Sequence, residues 1–271
     1  MPVRRPGPRT DPRAELRDRH EDGHHLHHLV WRLGPGVRVC SSAVLGGGIG
    51  PRAWILNAQV PGGYPRLDPD RHLAEIAAAE GLTGSGAGLM TAAEVAAYTT
   101  GRDGGVTATV TTGLGVRGWA AAPETAGPVC AAPETAGPES AAPETAAPES
   151  AVGETVTSGT AAAGTPGPAA SVRAPHRPGT VNIVVELPVA LSDAALVNAV
   201  ATATEAKVQA LLDAGLDCSG TPTDAVCVAA PEPGPDGGEP FAGPRSPWGA
   251  RIARAVHTAV LAGARPARDL S

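Results

Sequence analysis

The chain has 271 residues, 21 basic against 27 acidic side chains for a formal net charge of -6, and only 3% aromatic residues. Six of the acids (Glu124, Glu134, Glu139, Glu144, Glu149 and Glu154) lie in a central block without Lys or Arg, so the remainder balances at 21 against 21. A near-neutral remainder argues against nucleic acid, whose phosphates call for a basic surface. No apolar run reaches the length of a membrane span, and no secretory h-region opens the chain. Cys40, Cys130, Cys218 and Cys227 show no CxxC spacing, so reduced thiols in a cytoplasmic protein are expected.

Residues 1–30 are Arg- and Pro-rich and then carry His20, His24, His25, His27 and His28 beside Glu21 and Asp22. Five imidazoles and two carboxylates are a ligand supply for a divalent metal, but the expectation is a disordered tail with incidental affinity and no metal site. Val37–Val44 reads as a strand, the glycines of 46–50 as a tight turn, and Arg52–Val60 as a second strand, together a hairpin. The glycines resemble a phosphate cradle, but no P-loop lysine follows them. Asp68-Pro69 places a cap and a first-turn proline before a helix ending near Gly81. Gly84, Gly86 and Gly88 allow close backbone approach, to a neighbouring strand or to a ligand, and Thr91-x-x-Glu94 fits a capping box for a short helix. Val106–Thr112 alternates as a strand does.

From 121 to 150 a ten-residue unit (AAPETAGPVC, AAPETAGPES, AAPETAAPES) repeats three times. It has no large apolar side chain to bury, so 119–177 is expected to be a disordered Pro/Ala/Glu/Thr-rich insertion. Beyond it, Thr180–Leu187, a helix from Ser192 to Asp213, and Ala225–Ala230 spell strand, helix, strand, a crossover unit. Ser246-Pro247 opens a last helix ending near Ala262. The expected fold is α/β: one mixed α/β domain made of 31–118 and 178–264, with a short tail at 265–271.

At about 100° per residue, the helix from Ser192 places Leu196, Val200, Leu211, Val197, Val208 and Leu212 on one arc. Lys207 falls inside that arc and Glu205 on its border. Lys207 is the single lysine beside 20 arginines, which suggests a need for a compact, deprotonatable ammonium, although a snorkelling stem explains its position equally well. Asparagine occurs three times, and Asn57 and Asn182 both fall in predicted strands, where an amide fits poorly without a task. Thr221, Thr223 and Asp224 precede a strand, as pocket groups or as a local turn. His257 lies on the apolar arc of the last helix and reads as a core histidine.

Seven stretches in order carry a family resemblance: SSAVLGGG with WILNAQV, GLMTAAEV, TVTTGLG, GTVNIVV, TATEAKVQAL, SGTPTDAVCVA and FAG…WGARIARAV. Together they resemble the adenosylcobinamide amidohydrolases, with departures at Leu45, Val116–Arg117 and Ser219. The resemblance implies hydrolysis of the amide joining the aminopropanol arm to adenosylcobyric acid, in corrinoid salvage. Amide hydrolysis needs a nucleophile or activated water, an oxyanion stabiliser and a proton for the amine. Within the matched stretches, Asp224 or Glu205 is the candidate base and Thr221 or Ser42 the candidate nucleophile. Lys207 is the candidate proton donor or oxyanion stabiliser. Asn57, Asn182, Gly47, Thr111 and Thr223 form the candidate substrate-binding set. No metal ligand set falls within these stretches, and no cofactor is expected to be required, since the cobalt belongs to the substrate. A small-molecule corrinoid is the expected partner, with neither nucleic acid nor membrane, in a homo-oligomer or a monomer. Two other readings stand beside this one: a corrinoid-binding protein without chemistry, and an amidase or acyltransferase of the same fold with another substrate.

Overall fold

The computed structural model describes residues 14–123, 129–130 and 179–265. Most of the predicted insertion, residues 1–13 and residues 266–271 lie outside the described residues. In chain order the first strands are β1 (Glu15–Glu21), β2 (His24–Arg32), β3 (Val37–Ser41), β4 (Gly48–Pro51) and β5 (Trp54–Gln59). Helix α1 (Pro69–Ala79) is followed by β6 (Gly86–Thr91), β7 (Thr99–Asp103), β8 (Val106–Leu114) and the two-residue pair β9 (Val116–Arg117) and β10 (Val129–Cys130). Then come β11 (Gly179–Glu186), α2 (Asp193–Asp213), β12 (Ala225–Pro231) and α3 (Pro247–Ala264).

The central strands are apolar on both faces, which in a water-soluble setting requires cover on both sides. That cover comes from four layers. A six-stranded sheet, β4-β3-β12-β11-β8-β7, and a four-stranded sheet, β1-β2-β5-β6, share one core. Leu29, Trp31, Ile55 and Leu89 meet Val39, Val184, Cys227 and Ala229 there. The outer face of the larger sheet (Val181, Ile183, Val185, Val226, Val228) packs on α2 and α3. The outer face of the smaller sheet (Val30, Trp54, Leu56, Ala58) packs on α1 through Leu73 and Ile76. The α/β class and the single mixed domain therefore hold. So does the crossover: β11 and β12 pair in parallel, with α2 between them in sequence.

Four local expectations change. The stretch expected to be a disordered tail up to residue 30 forms β1 and β2 from Glu15 onward, antiparallel across the Asp22-Gly23 turn. Its histidines hid the strand, because Leu26, Leu29 and Val30 are buried while His24 and His25 face water. The predicted hairpin of 37–44 with 52–60 does not form. Instead β3 pairs with β4, and β5 crosses to the other sheet between β2 and β6. Arg52 directs the crossing, donating from Nε and Nη2 to the Gly46 carbonyl at 3.0 and 2.8 Å. Asp68 stands at the N-cap of α1, but its carboxylate binds Arg66 instead of the helix backbone. The helix expected after Thr91 is one 3-10 turn, Val95–Ala97, capped by Glu94, because Thr91 still belongs to β6. The glycines before it serve packing: a Cβ on Gly86 would lie 2.0 Å from the Trp54 ring.

His28, 1% exposed, bonds Glu80 Oε1 through Nε2 at 2.9 Å. Desolvation holds its pKa below the usual imidazole value, the Glu80 hydrogen bond opposing it. On acidification the unfolded chain therefore takes this proton first, and stability falls as pH drops below the ordinary imidazole range. The thermal midpoint is expected to fall between about pH 7 and about pH 5.5, and His28→Gln to flatten that fall. A wild-type slope retained in the variant would reject His28 as its source.

Candidate active site

The polar residues of the crossover unit gather at one end of the larger sheet, where β11 and β12 begin. The Asp224 carboxylate, just before β12, is the centre. It accepts from Lys207 Nζ on α2 at 2.5 Å, from Thr221 Oγ1 at 2.5 Å, from Thr221 N at 3.1 Å and from Val181 N of β11 at 2.8 Å. One carboxylate thus ties a helix, a loop and a strand. The Lys207 and Asp224 side chains are only 8% and 12% exposed, so the pair is shielded from water and its geometry is held by several bonds. Among the described residues Asp224 is the hydrogen-bond partner of Lys207 Nζ, and an ammonium has three donors.

Gly220 makes this approach fit. Its φ is +150°, and a Cβ there would lie 2.2 Å from Asp224 Oδ2 and 2.5 Å from Lys207 Nζ. The loop around it is clamped from the other side. Gly118 N donates to the Gly220 carbonyl, Ser219 N to the Gly118 carbonyl, and Trp119 Nε1 to Asp217 at 3.1 Å. The chain therefore stays docked past the boundary expected at residue 118.

The helix reaches the site with a different face from the one expected. Val197 and Leu212 are 55% and 46% exposed, and the buried stripe is Ala195, Leu196, Ala199, Thr202, Ala203, Ala206, Lys207, Ala210 and Leu211. Alanines define the close contact of α2 with the sheet and α3, so a Val/Leu pattern misplaces the arc by roughly a third of a turn. Lys207 is buried in either orientation. Glu205, the other candidate base, is exposed and makes none of these contacts. His257 is also not a core residue, since its Nε2 meets Asp213 at 2.7 Å on the flank between α2 and α3.

A second cluster lies between the sheets. Asn182 Nδ2 donates to Asn57 Oδ1 at 2.8 Å and to the Met90 carbonyl at 3.0 Å, while Asn57 Nδ2 donates to Thr111 Oγ1 at 3.0 Å. All three side chains are at most 2% exposed. They form a polar bridge from one sheet to the other, and among the described residues Asn182 Oδ1 has no hydrogen-bond partner. The bridge adjoins the first cluster, because Asn182 follows the Val181 whose N–H holds Asp224. Ser42, exposed, accepts from Val226 N at 3.0 Å at the start of β12, and Gly47 sits in the loop beyond it, too close to the Ala43 carbonyl for a Cβ. Thr223 Oγ1 lies 2.6 Å from Thr180 Oγ1 and bonds the Gly179 carbonyl. The sequence reading passed over Gly220 and Val181; the glycine inside SGTPTD was the available signal for the first, and a backbone N–H leaves none for the second.

Burial raises the pKa of Cys40 and Cys218 and pushes the Cys227 thiol up to about 12, which disfavours the thiolate. A cavity of about 750 Å³ opens at the far ends of β11 and β12, lined by Leu33, Tyr98, Arg102, Thr107, Glu186 and Ala229 among others. None of the ten candidate residues lines it.

A hydroxyl bonded to a carboxylate that is itself paired with an ammonium is a set suited to acyl and amide chemistry. A family profile described as adenosylcobinamide amidohydrolase matches residues 12–271, and the chain belongs to that family. It is similar to the adenosylcobinamide amidohydrolase of Methanosarcina mazei, 41% identical over 92 residues covering 31% of this chain and 46% of that protein. It is also similar to the adenosylcobinamide amidohydrolase of Halobacterium salinarum, 48% identical over 90 residues covering 33% of this chain and 37% of that protein. The matched stretch thus spans less than half the length of each curated relative. No solved structure matches. Among the described residues no helix is long and apolar enough to cross a membrane.

Proposed function

We propose that the chain hydrolyses the amide linking the aminopropanol arm to the corrin side chain of adenosylcobinamide, giving adenosylcobyric acid for salvage. The family match supports the substrate, and the contact carrying the chemistry is Thr221 Oγ1 at 2.5 Å from Asp224 Oδ1, with Lys207 on the other carboxylate oxygen. In this reading Thr221 Oγ attacks the amide carbon while its proton passes to Asp224. The Lys207 ammonium, through the donors it does not give to Asp224, holds the negative charge on the carbonyl oxygen. The proton on Asp224 then goes to the departing aminopropanol nitrogen as the C–N bond breaks. Water cleaves the Thr221 ester, restoring the hydroxyl and releasing the corrinoid acid. Every step uses a side chain of this chain, and the cobalt is carried by the substrate.

The geometry is suited to this, since a base must lie within hydrogen-bond reach of the proton it takes. Thr221→Val keeps the shape and removes the hydroxyl. Its turnover of adenosylcobinamide is expected to fall by about 10³-fold, with Thr221→Ser retaining a measurable part of it. Trapping of an acyl-enzyme on Thr221 by rapid acid quench and peptide mass spectrometry is expected for wild type. Full turnover by Thr221→Val would transfer the attack to water or to Ser42.

A further inference from the structure

The β1–β2 hairpin carries a cluster that the proposed chemistry does not use. In its register Asp18 faces His27 and His20 faces His25. Opposed residues share a face and alternate residues along a strand share a face, so these four side chains stand together. Glu21 and His24, paired with each other, stand on the reverse face with Arg17 and His28. The sequence run of histidines is therefore divided by the pleat into two sets. On the first face, one ligand atom each from Asp18, His20 and His25 lies within 4.8 Å of the other two. His25 Nε2 is 3.3 Å from Asp18 Oδ2, the His20 and His25 rings stack with centroids 4.7 Å apart, and His27 meets the His25 ring at 4.9 Å.

Bonds of about 2.0–2.2 Å from imidazole nitrogen and carboxylate oxygen to one ion place ligand atoms about 3–3.5 Å apart. Closing from the observed spacing takes only side-chain rotation. The His25 and Asp18 side chains are 52% and 65% exposed and have the room for it. Two imidazoles and a carboxylate form a borderline-soft set that selects zinc, nickel or cobalt(II) over magnesium or calcium, with water filling the remaining positions. Among the described residues β1 is also an edge strand, paired with β2 alone, and a clip across the pair would fasten it.

We propose that Asp18, His20 and His25 form a divalent transition-metal site that clips β1 to β2, independent of the amide chemistry. The test uses the full chain stripped with chelator, Zn²⁺ titrated calorimetrically and Co²⁺ followed by its visible ligand-field bands. Wild type is expected to take up one equivalent with micromolar affinity and to gain thermal stability from it. Asp18→Asn, His20→Ala and His25→Ala are each expected to weaken binding at least about tenfold and to lose the thermal gain. His24→Ala, on the reverse face, is expected to bind as wild type does. Circular dichroism on each apo variant separates lost binding from lost folding, and the wild-type stoichiometry stands without any variant. Absence of saturable one-equivalent binding overturns the proposal. An equal loss in His24→Ala also overturns it, since that outcome marks diffuse affinity of the whole histidine run.

Discussion

Lys207→Met is expected to reduce turnover of adenosylcobinamide by about 10²–10³-fold, the scale of losing a preorganised oxyanion donor. Methionine keeps the length of the stem along the alanine face of α2, so packing is largely preserved and the change is the ammonium. Breaking a buried ion pair by removing one partner costs about 3–5 kcal/mol when the remaining charge is orphaned. Here Asp224 keeps the Thr221 N–H, the Thr221 hydroxyl and the Val181 N–H. The stability loss is therefore expected below that range, about 2–3 kcal/mol, leaving a folded protein whose rate can be measured. Lys207→Arg is expected to fail as well. Nζ already lies where a Cβ on Gly220 would be only 2.5 Å away, and a planar guanidinium is larger than that space. The readout is single-turnover formation of adenosylcobyric acid, with unfolding followed in urea. A folded Lys207→Met protein that turns over at the wild-type rate would falsify the assignment of Lys207.

The same residue shows what a sequence does and does not disclose. Lys207 was visible because it is the one lysine, and because its place on the helix is buried under either reading of the face. The face itself was not visible. Hydropathy weights Val197 and Leu212 above Ala199, Ala203 and Ala206, whereas close helix–sheet packing takes in the small side chains and leaves Val197 and Leu212 outside. The parallel crossover was legible for a simple reason: its two apolar runs and the Ser192 cap are local signals. Partner choice between strands is not local. VRVCSSAV and WILNAQV read as neighbours, yet β3 and β5 enter different sheets, a choice settled by Arg52 binding the Gly46 carbonyl and by β6 pairing beside β5. β1 and β2 were illegible for the opposite reason, since the exposed histidines outweigh the buried leucines in any composition count. In the site, Thr221 and Asp224 were readable as a loop motif. The role of Asn57 and Asn182 was not, because a buried amide in a strand marks a task without saying whether the task is binding or architecture.

That last question can be put to the energetics of the amide bridge. Asn182→Leu leaves Asn57 Oδ1 and the Met90 carbonyl without this donor between the sheets. At about 1–3 kcal/mol for each buried polar group so stranded, the single variant is expected to lose about 2–6 kcal/mol. Asn57→Leu strands an N–H of Asn182 and a Thr111 acceptor in the same way, for a similar loss. The double variant removes both ends of the shared bond together, so its loss is expected to fall short of the sum by about 1–2 kcal/mol. Strict additivity in urea unfolding would mean that the bridge is not a coupled unit. For catalysis, the bridge sits behind Val181, whose N–H orients Asp224. With side chains at most 2% exposed, Asn57 and Asn182 are expected to act on the reaction through that strand and not by touching the substrate. The folded double variant is therefore expected to lose about tenfold in kcat with KM little changed. A rise in KM at constant kcat would instead place Asn57 and Asn182 against the substrate, with Asn182 Oδ1 as the acceptor it meets.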